Sequence, residues 1–307
     1  MHVKIGIGFG LFAGGLPSPE TICNYAERAE DLGIDSIWLS DHLVSRRPAL
    51  EIATVMALFA ARTKRIKMGP SVLTLPARHP VEVAKSYATL DYLTGGRRRV
   101  IMAVGLGSDP QDCLACGVPA AERAGRLAEG VTILRRLWTE EHVTHKGKFY
   151  QFEDVTIEPR PVGGALDIWI GGRSDAALRR VAKYGDGWFP SFVSPDGFRA
   201  GMDKLTAYAS ALGRPIDPGE AGVVLLTHAT RDRATATALA QQVAQVFRTD
   251  PEAMAARSAI GTPEECVERI RAYVAAGCSK FVLFPLATAE SLVPQIETYG
   301  REIIPRV

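Results

Sequence analysis

The sequence predicts one (β/α)8 barrel domain over residues 1–307, on three observations. Eight short apolar runs between turn residues begin near Val3, Ser36, Ile66, Arg99, Asp167, Gly187, Gly222 and Ser279. Helical patterns with punctuation at both ends separate most of them, as parallel strands require. Composition shows no second regime, and no repeat or low-complexity tract interrupts the series. A doubly wound open sheet is the alternative.

Taken in order, the first helix is predicted by Ser18 as cap, Pro19 at the first helical position, an apolar face of Ile22, Tyr25, Ala26, Ala29 and Leu32, and Gly33 as terminator. Strand two carries Ile37-Trp38-Leu39, and strand three leads into Gly69-Pro-Ser-Val-Leu-Thr74. A helix is expected from Pro80 to Leu93, and strand four ends in Val104-Gly-Leu-Gly-Ser-Asp109. The long gap that follows holds an insertion, in which Val143 to Phe152 reads as a polar hairpin turning at Lys146 and Gly147. Strand five begins at Asp167 and a helix opens at Ser174; Trp188 lies at the start of strand six, where core packing is its expected role. After strand seven, Ala234 to Arg257 reads as an additional helical segment. Thr262 and Glu265 then form a capping box around Pro263, with Val267, Ile270 and Val274 as the stripe and Gly277 as the close.

Composition narrows the function. Apolar residues are 47% and charged residues 23%, enough for a large core and against disorder. Lys+Arg 36 against Asp+Glu 34 gives a net charge of +2, too balanced for a nucleic-acid partner. No stretch reaches the roughly 18 apolar residues of a membrane span, and Met1 to Phe9 carries no leader pattern, so a cytoplasmic location and no membrane partner are expected. Five cysteines, including Cys113-x-x-Cys116 with no second ligand pair, read as structural thiols.

In a barrel the chemistry sits at the carboxyl ends of the strands. Lys4, Lys67 and Lys280 fall at strand beginnings, which disfavours a Schiff-base aldolase. His42, His79 and His228 follow strands two, three and seven and could converge on a metal, but no strand carries a His-x-His pair, and no metal site is expected. Ser40-Asp41-His42 lands on the rim, with His42 suited to proton transfer and Asp41 able to fix its tautomer; a plain loop with Asp41 holding backbone donors fits the same letters. Asp167-Ile-Trp-Ile-Gly-Gly-Arg-Ser-Asp-Ala-Ala-Leu178 reads as strand, glycine turn and helix start. Gly171, Gly172, Arg173 and Ser174 there could seat a phosphate, though an ordinary capped turn reads the same way, and Asp175 would oppose an anion if it faced inward. Gly105, Leu106 and Gly107 could let a flat ring lie against the backbone, or only bend the strand.

Together these segments resemble the luciferase-like flavin monooxygenases and their deazaflavin-dependent relatives. The resemblance rests on Leu32-Gly-Ile-Asp-Ser-Ile-Trp-Leu-Ser-Asp-His42, Ile66 to Thr74, Val104 to Gly107, Ile168 to Leu178 and Gly185-Asp-Gly-Trp188, and it covers nearly the whole chain. It implies a (β/α)8 fold with insertions, a homodimer, and a cofactor at the carboxyl rim: coenzyme F-420, or FMN as the alternative. By resemblance, Ser71 and Val72 match a bulged cis segment backing the ring, Gly171 to Ser174 receive the ribityl phosphate, and Asp41 and His42 face the reactive centre. Ser108 stands where some deazaflavin dehydrogenases carry a glutamate, with Asp109 next, so sugar-phosphate oxidation is not supported. Arg123 to Glu129, with Arg126 between, resembles an arginine-rich family helix; a solvated face fits equally.

The expected function is hydride transfer between coenzyme F-420 and a small organic substrate. His42 would move the proton and Asp41 would orient it. The alternatives are an FMN-dependent monooxygenase using reduced flavin and oxygen, a non-catalytic flavin-binding barrel, and a redox-inactive sugar-phosphate lyase or isomerase.

Overall fold

The computed structural model describes residues 2–10, 12, 14–45 and 47–307. Its strands are β1 (Lys4–Phe9), β2 (Ser36–Leu39), β3 (Lys67–Pro70), β4 (Leu73–Thr74), β5 (Met102–Gly105), β6 (Val143–Lys146), β7 (Gln151–Val155), β8 (Ile168–Gly171), β9 (Gly187–Phe189), β10 (Gly222–Ala229), β11 (Ser258–Gly261) and β12 (Lys280–Pro285). Its α-helices are α1 (Pro19–Asp31), α2 (Ile52–Arg62), α3 (Pro80–Leu93), α4 (Pro110–Ala115), α5 (Arg123–Thr139), α6 (Asp175–Tyr184), α7 (Pro195–Ala211), α8 (Arg233–Val246), α9 (Pro251–Ala255), α10 (Pro263–Ala275) and α11 (Leu292–Thr298).

Eight of the strands form a ring. Parallel ladders join β10 to β12, β12 to β1, β1 to β2 and β2 to β3, and a second set joins β5 to β8 and β8 to β9. Two short seams complete the circle. The Met68 N–H donates to the Arg99 carbonyl at 2.7 Å and the Ile101 N–H to the Met68 carbonyl at 3.0 Å, while Trp188 bridges Ala221 and Ser191 bridges Val224. This is the barrel that the eight runs predict.

Local chemistry accounts for the connections. Ser18 caps α1 through the Thr21 N–H at 3.1 Å, and Gly33 takes the left-handed turn (φ +72°) that ends it. Thr262 and Glu265 make both halves of the capping box on α10. The hairpin is β6 with β7, and the charged face of α5 holds it: Arg126 lies over the Phe149 and Tyr150 rings at 5.2 and 5.6 Å, and Glu129 accepts from the Tyr150 N–H at 2.9 Å. The Arg123 to Glu129 segment is therefore a clasp for the insertion and not a solvated face. The second insertion is corrected: it breaks at Asp250, which caps a separate α9, and then supplies β11 beside β10. Inside the barrel, Trp38, Trp169 and Phe189 pack with centroids 4.5 to 5.8 Å apart and form a floor below the rim.

Glu30 of α1 accepts the N–H groups of Lys64, Arg65 and Ile66 at 2.9, 2.6 and 2.9 Å, tying the α2–β3 turn to the first helix. Burial pushes its carboxyl up, but the three donors outweigh that and hold it below its ordinary value. A depressed carboxylate stabilises above the unfolded value, about 4.3, and the contribution fades as pH falls through the folded value. Glu30→Ala should lower Tm at pH 7 by about 1–2 °C, the equivalent of roughly 1 kcal/mol. The gap to the parent should narrow below about pH 4; melting curves at pH 7 and pH 3.5 check it, and a gap that does not narrow would show that the charge is not responsible.

Candidate functional site

At the carboxyl rim the strands surround a cavity with two arms that meet at His42, Ser71, Val72 and Ser108. One arm, about 300 Å³, is as polar as it is apolar and runs toward Gly171, Gly172, Ser174 and Arg180. The other, about 230 Å³, is mostly apolar and runs toward Phe189, Leu226, Phe247 and Phe284.

Strand β2 leads into Ser40, Asp41 and His42, which all line the first arm but have different partners. His42 lines both arms and its Nε2 lies 3.0 Å from the Ser40 hydroxyl. The Asp41 side chain, only 2% exposed, is held by Arg78 in a two-pronged pair, Nη1 to Oδ2 at 2.7 Å and Nη2 to Oδ1 at 2.8 Å, and accepts the Thr74 N–H at 2.8 Å. Burial lowers the affinity of the Arg78 guanidinium for its proton, but Asp41 more than restores it, leaving the group above its ordinary value. The expectation that Asp41 orients His42 is thus corrected: Ser40 contacts the imidazole, while Asp41 is taken up by Arg78 and Thr74 and braces the β3–β4 loop.

That loop contains a cis peptide between Ser71 and Val72, as the resemblance implies. Two glycines make room for it, and a third makes room for Thr74 of β4. A Cβ on Gly105 would sit 2.4 Å from Val72 Cγ2, one on Gly171 would sit 3.1 Å from Val72 Cγ1, and one on Gly107 would sit 2.8 Å from Thr74 Cγ2. Gly105 therefore seats Val72, while Leu106 and Gly107 reach the cavity wall. Ser108 also faces the cavity, but Asp109 caps α4 by accepting the Gln111 N–H at 2.9 Å and does not replace a missing acid.

The glycine turn after β8 is built for close approach. Gly172 has φ +108°, and its carbonyl accepts the Trp188 indole N–H at 2.8 Å, so Trp188 packs in the core and also fixes this turn. Ser174 caps α6 by accepting the Ala177 N–H at 3.2 Å, and both residues line the cavity. Arg173 is corrected: it does not line the cavity but lies outside it, its guanidinium donating to the Ser191 carbonyl at 3.3 Å. Asp175 points away, bonded to Arg179 and Tyr208, and does not oppose an anion.

The cation at the cavity is Arg180, which the sequence reading missed. It follows Ser174 and Ala177 at three-residue steps, on one face of α6. Its Nε is buried without a partner, and burial lowers its guanidinium below the ordinary value. The Thr74 hydroxyl, on the same cavity, is likewise buried and unpartnered. The recoverable signal was the pair Ser174 and Ala177, which leaves the third position of that face on the glycine turn.

Other candidates disperse. The His79 Nδ1 accepts the Val81 N–H and caps α3, and His228 lies 2.8 Å from the Leu286 carbonyl. Among the described residues no group of three or more His, Cys, Asp or Glu side chains could hold a metal ion. Lys4, Lys67 and Lys280 line a cavity of about 200 Å³ at the opposite end of the barrel, where Lys67 pairs with Asp35 at 3.1 Å and Lys280 with Glu220 at 2.7 Å. The Cys113 and Cys116 thiols are both free. No helix among the described residues is long and apolar enough to cross a membrane.

Comparison with known proteins finds chains of similar sequence and fold. A sequence profile described as luciferase-like monooxygenase matches residues 3–280. A curated relative from Microbacterium testaceum, named F-420-dependent glucose-6-phosphate dehydrogenase, is 30% identical over 319 residues, 94% of each chain. The chain spans little more than half the length, 57% and 53%, of the first two relatives of the same name that it matches, at 34% and 36% identity. An F-420-dependent secondary alcohol dehydrogenase solved with an F-420–acetone adduct superposes with a TM-score of 0.85 at 20% identity, over 100% of this chain and 99% of that one. An oxygenating constituent of 3,6-diketocamphane monooxygenase from Pseudomonas putida, solved with FMN, superposes with a TM-score of 0.82 at 19% identity, over 100% and 99%.

Proposed function

The chain belongs to the luciferase-like monooxygenase family, and we propose from that premise that it is an oxidoreductase using coenzyme F-420 on a small organic substrate. One observation carries the reading: Arg180, whose Nε is buried without a partner, and the start of α6 flank one arm of a rim cavity whose junction holds His42. The Arg180 guanidinium and the Thr74 and Ser174 hydroxyls form the donor set of an anion site at the start of α6, and the Asp41 carboxylate on the same wall is already paired with Arg78, so these residues fit a phosphate-bearing cofactor. Gly172 and Ser174, with Arg180, would hold the phosphate; Ser71 and Val72 would back the ring; Leu106 and Gly107 would flank it. When bound, the coenzyme supplies a hydride acceptor or donor.

The protein's own contribution is orientation and a proton. The His42 imidazole exchanges a proton with the substrate oxygen, and the Ser40 hydroxyl at Nε2 holds the ring for it. The Arg78–Asp41 pair keeps the β3–β4 loop in place behind the ring site. The names of the curated relatives favour F-420 over FMN. Titration of the purified protein with each cofactor tests this, and preference for FMN with oxygen consumption would overturn it.

The phosphate assignment makes a separate prediction. Arg180→Ala should weaken F-420 binding by roughly 10- to 100-fold, the scale of a charge-assisted hydrogen bond. Arg173→Ala should leave it nearly unchanged. Fluorescence titration of the coenzyme checks both, and equal losses would return the role to Arg173.

A further inference from the structure

The cavity's second arm bears on what the protein acts on, and the inference rests on the cofactor reading above. We propose that this arm is the substrate chamber and that it takes an uncharged, largely hydrocarbon molecule with one hydroxyl or carbonyl group.

The chamber is apolar because of strand register. Residues of β10 alternate, so that Val224 and Leu226 line the arm while Val223 and Leu225 are buried on the other side. Phe284 of β12 and Phe189 of β9 complete the inner wall. Phe192 and Phe247, with ring centroids 4.5 Å apart, stand at the outer end. Phe247 comes from the insertion after β10, so the segment that departs most from a plain barrel contributes a wall of the chamber.

Among its described lining residues there is no Lys, Arg, Asp or Glu. A phosphate dianion there would lose its hydration with no cation in return, a cost of several kcal/mol per charge. Arg180 belongs to the other arm and Arg173 is turned onto the Ser191 carbonyl. The polar groups that do reach the chamber are neutral hydroxyls, Ser40, Ser71, Ser108 and Ser191, gathered with His42 at the junction end. That arrangement reads one oxygen at one end and excludes water along the rest. The volume, about 230 Å³, falls below the 300–1,000 Å³ typical of drug-sized ligands, so the molecule is small. Sugar phosphates, named for the curated relatives, do not suit these walls.

The test uses the protein loaded with F-420 and straight-chain methyl ketones of four to seven carbons, with glucose 6-phosphate as the charged probe. Calorimetric Kd should fall about fourfold for each added methylene until the chamber is full, and glucose 6-phosphate should bind far more weakly. Phe247→Ala, a change at a half-exposed outer position, should extend the series to longer ketones with F-420 affinity unchanged. A flat ketone series, or tighter binding of glucose 6-phosphate, overturns the chamber while leaving the cofactor reading intact. Failure of the parent to bind F-420 overturns both.

Discussion

Arg78→Met is expected to destabilise the fold by about 3–5 kcal/mol, the largest stability effect that the site predicts. The reason is asymmetry. Asp41 is buried with both carboxylate oxygens on the guanidinium and a third bond from the Thr74 N–H. Removing the cation leaves a desolvated carboxylate with one backbone donor, and that charge must then draw in water or take a proton. In a chain of this size Tm should drop by roughly 5–8 °C, measured by calorimetry or circular dichroism. The double variant Arg78→Met with Asp41→Leu removes both charges and should recover most of the loss, because an apolar replacement of a buried pair is often close to neutral. A single variant that melts with the parent would show that the pair is solvated and does not brace the loop.

The largest effect on turnover falls on His42. His42→Ala in the F-420-loaded protein should lower kcat by roughly 10² to 10⁴ while leaving the coenzyme Kd close to that of the parent. The separation follows from position: His42 stands at the junction of the arms, away from the phosphate donors on α6. Ser40→Ala, which removes only the hydroxyl 3.0 Å from Nε2, should cost less, with kcat falling more than KM changes. Stopped-flow measurement of coenzyme absorbance gives both quantities. Unchanged turnover in His42→Ala would remove the imidazole from proton transfer and leave Ser71 or Ser108 as the oxygen's partner.

How far these features were legible depends on how local their causes are. Helix limits set by caps were readable: the helix expected from Pro80 to Leu93 is α3 with those same bounds, and Ser18, Ser174 and Thr262 cap as their neighbours predict. The barrel strands begin within three residues of expectation, because apolar runs between glycines are a short-range signal. What escaped was set by tertiary contact. The strand β11 has the unremarked letters Ser-Ala-Ile-Gly and exists because β10 offers an edge. Asp41 was assigned to its neighbour His42, since nothing local announces that Arg78, 37 residues on, folds back to take it. Arg180 sat inside an amphipathic helix, where an arginine looks like solvent-facing charge; only the position of α6 over the glycine turn gives it a cavity to face. Glycine roles were half readable: their presence marked close approach, but the approaching group at Gly105 is Val72.

The position of the cofactor's anionic tail is measured directly by a crystal structure with bound F-420. It should place the phosphate within hydrogen-bond distance of the Arg180 guanidinium and the first-turn amides of α6, with the ring against Ser71 and Val72 and its reactive face toward His42. Phosphate density at the opposite end of the barrel, among Lys4, Lys67 and Lys280, or a ring that leaves His42 out of reach, would contradict this placement.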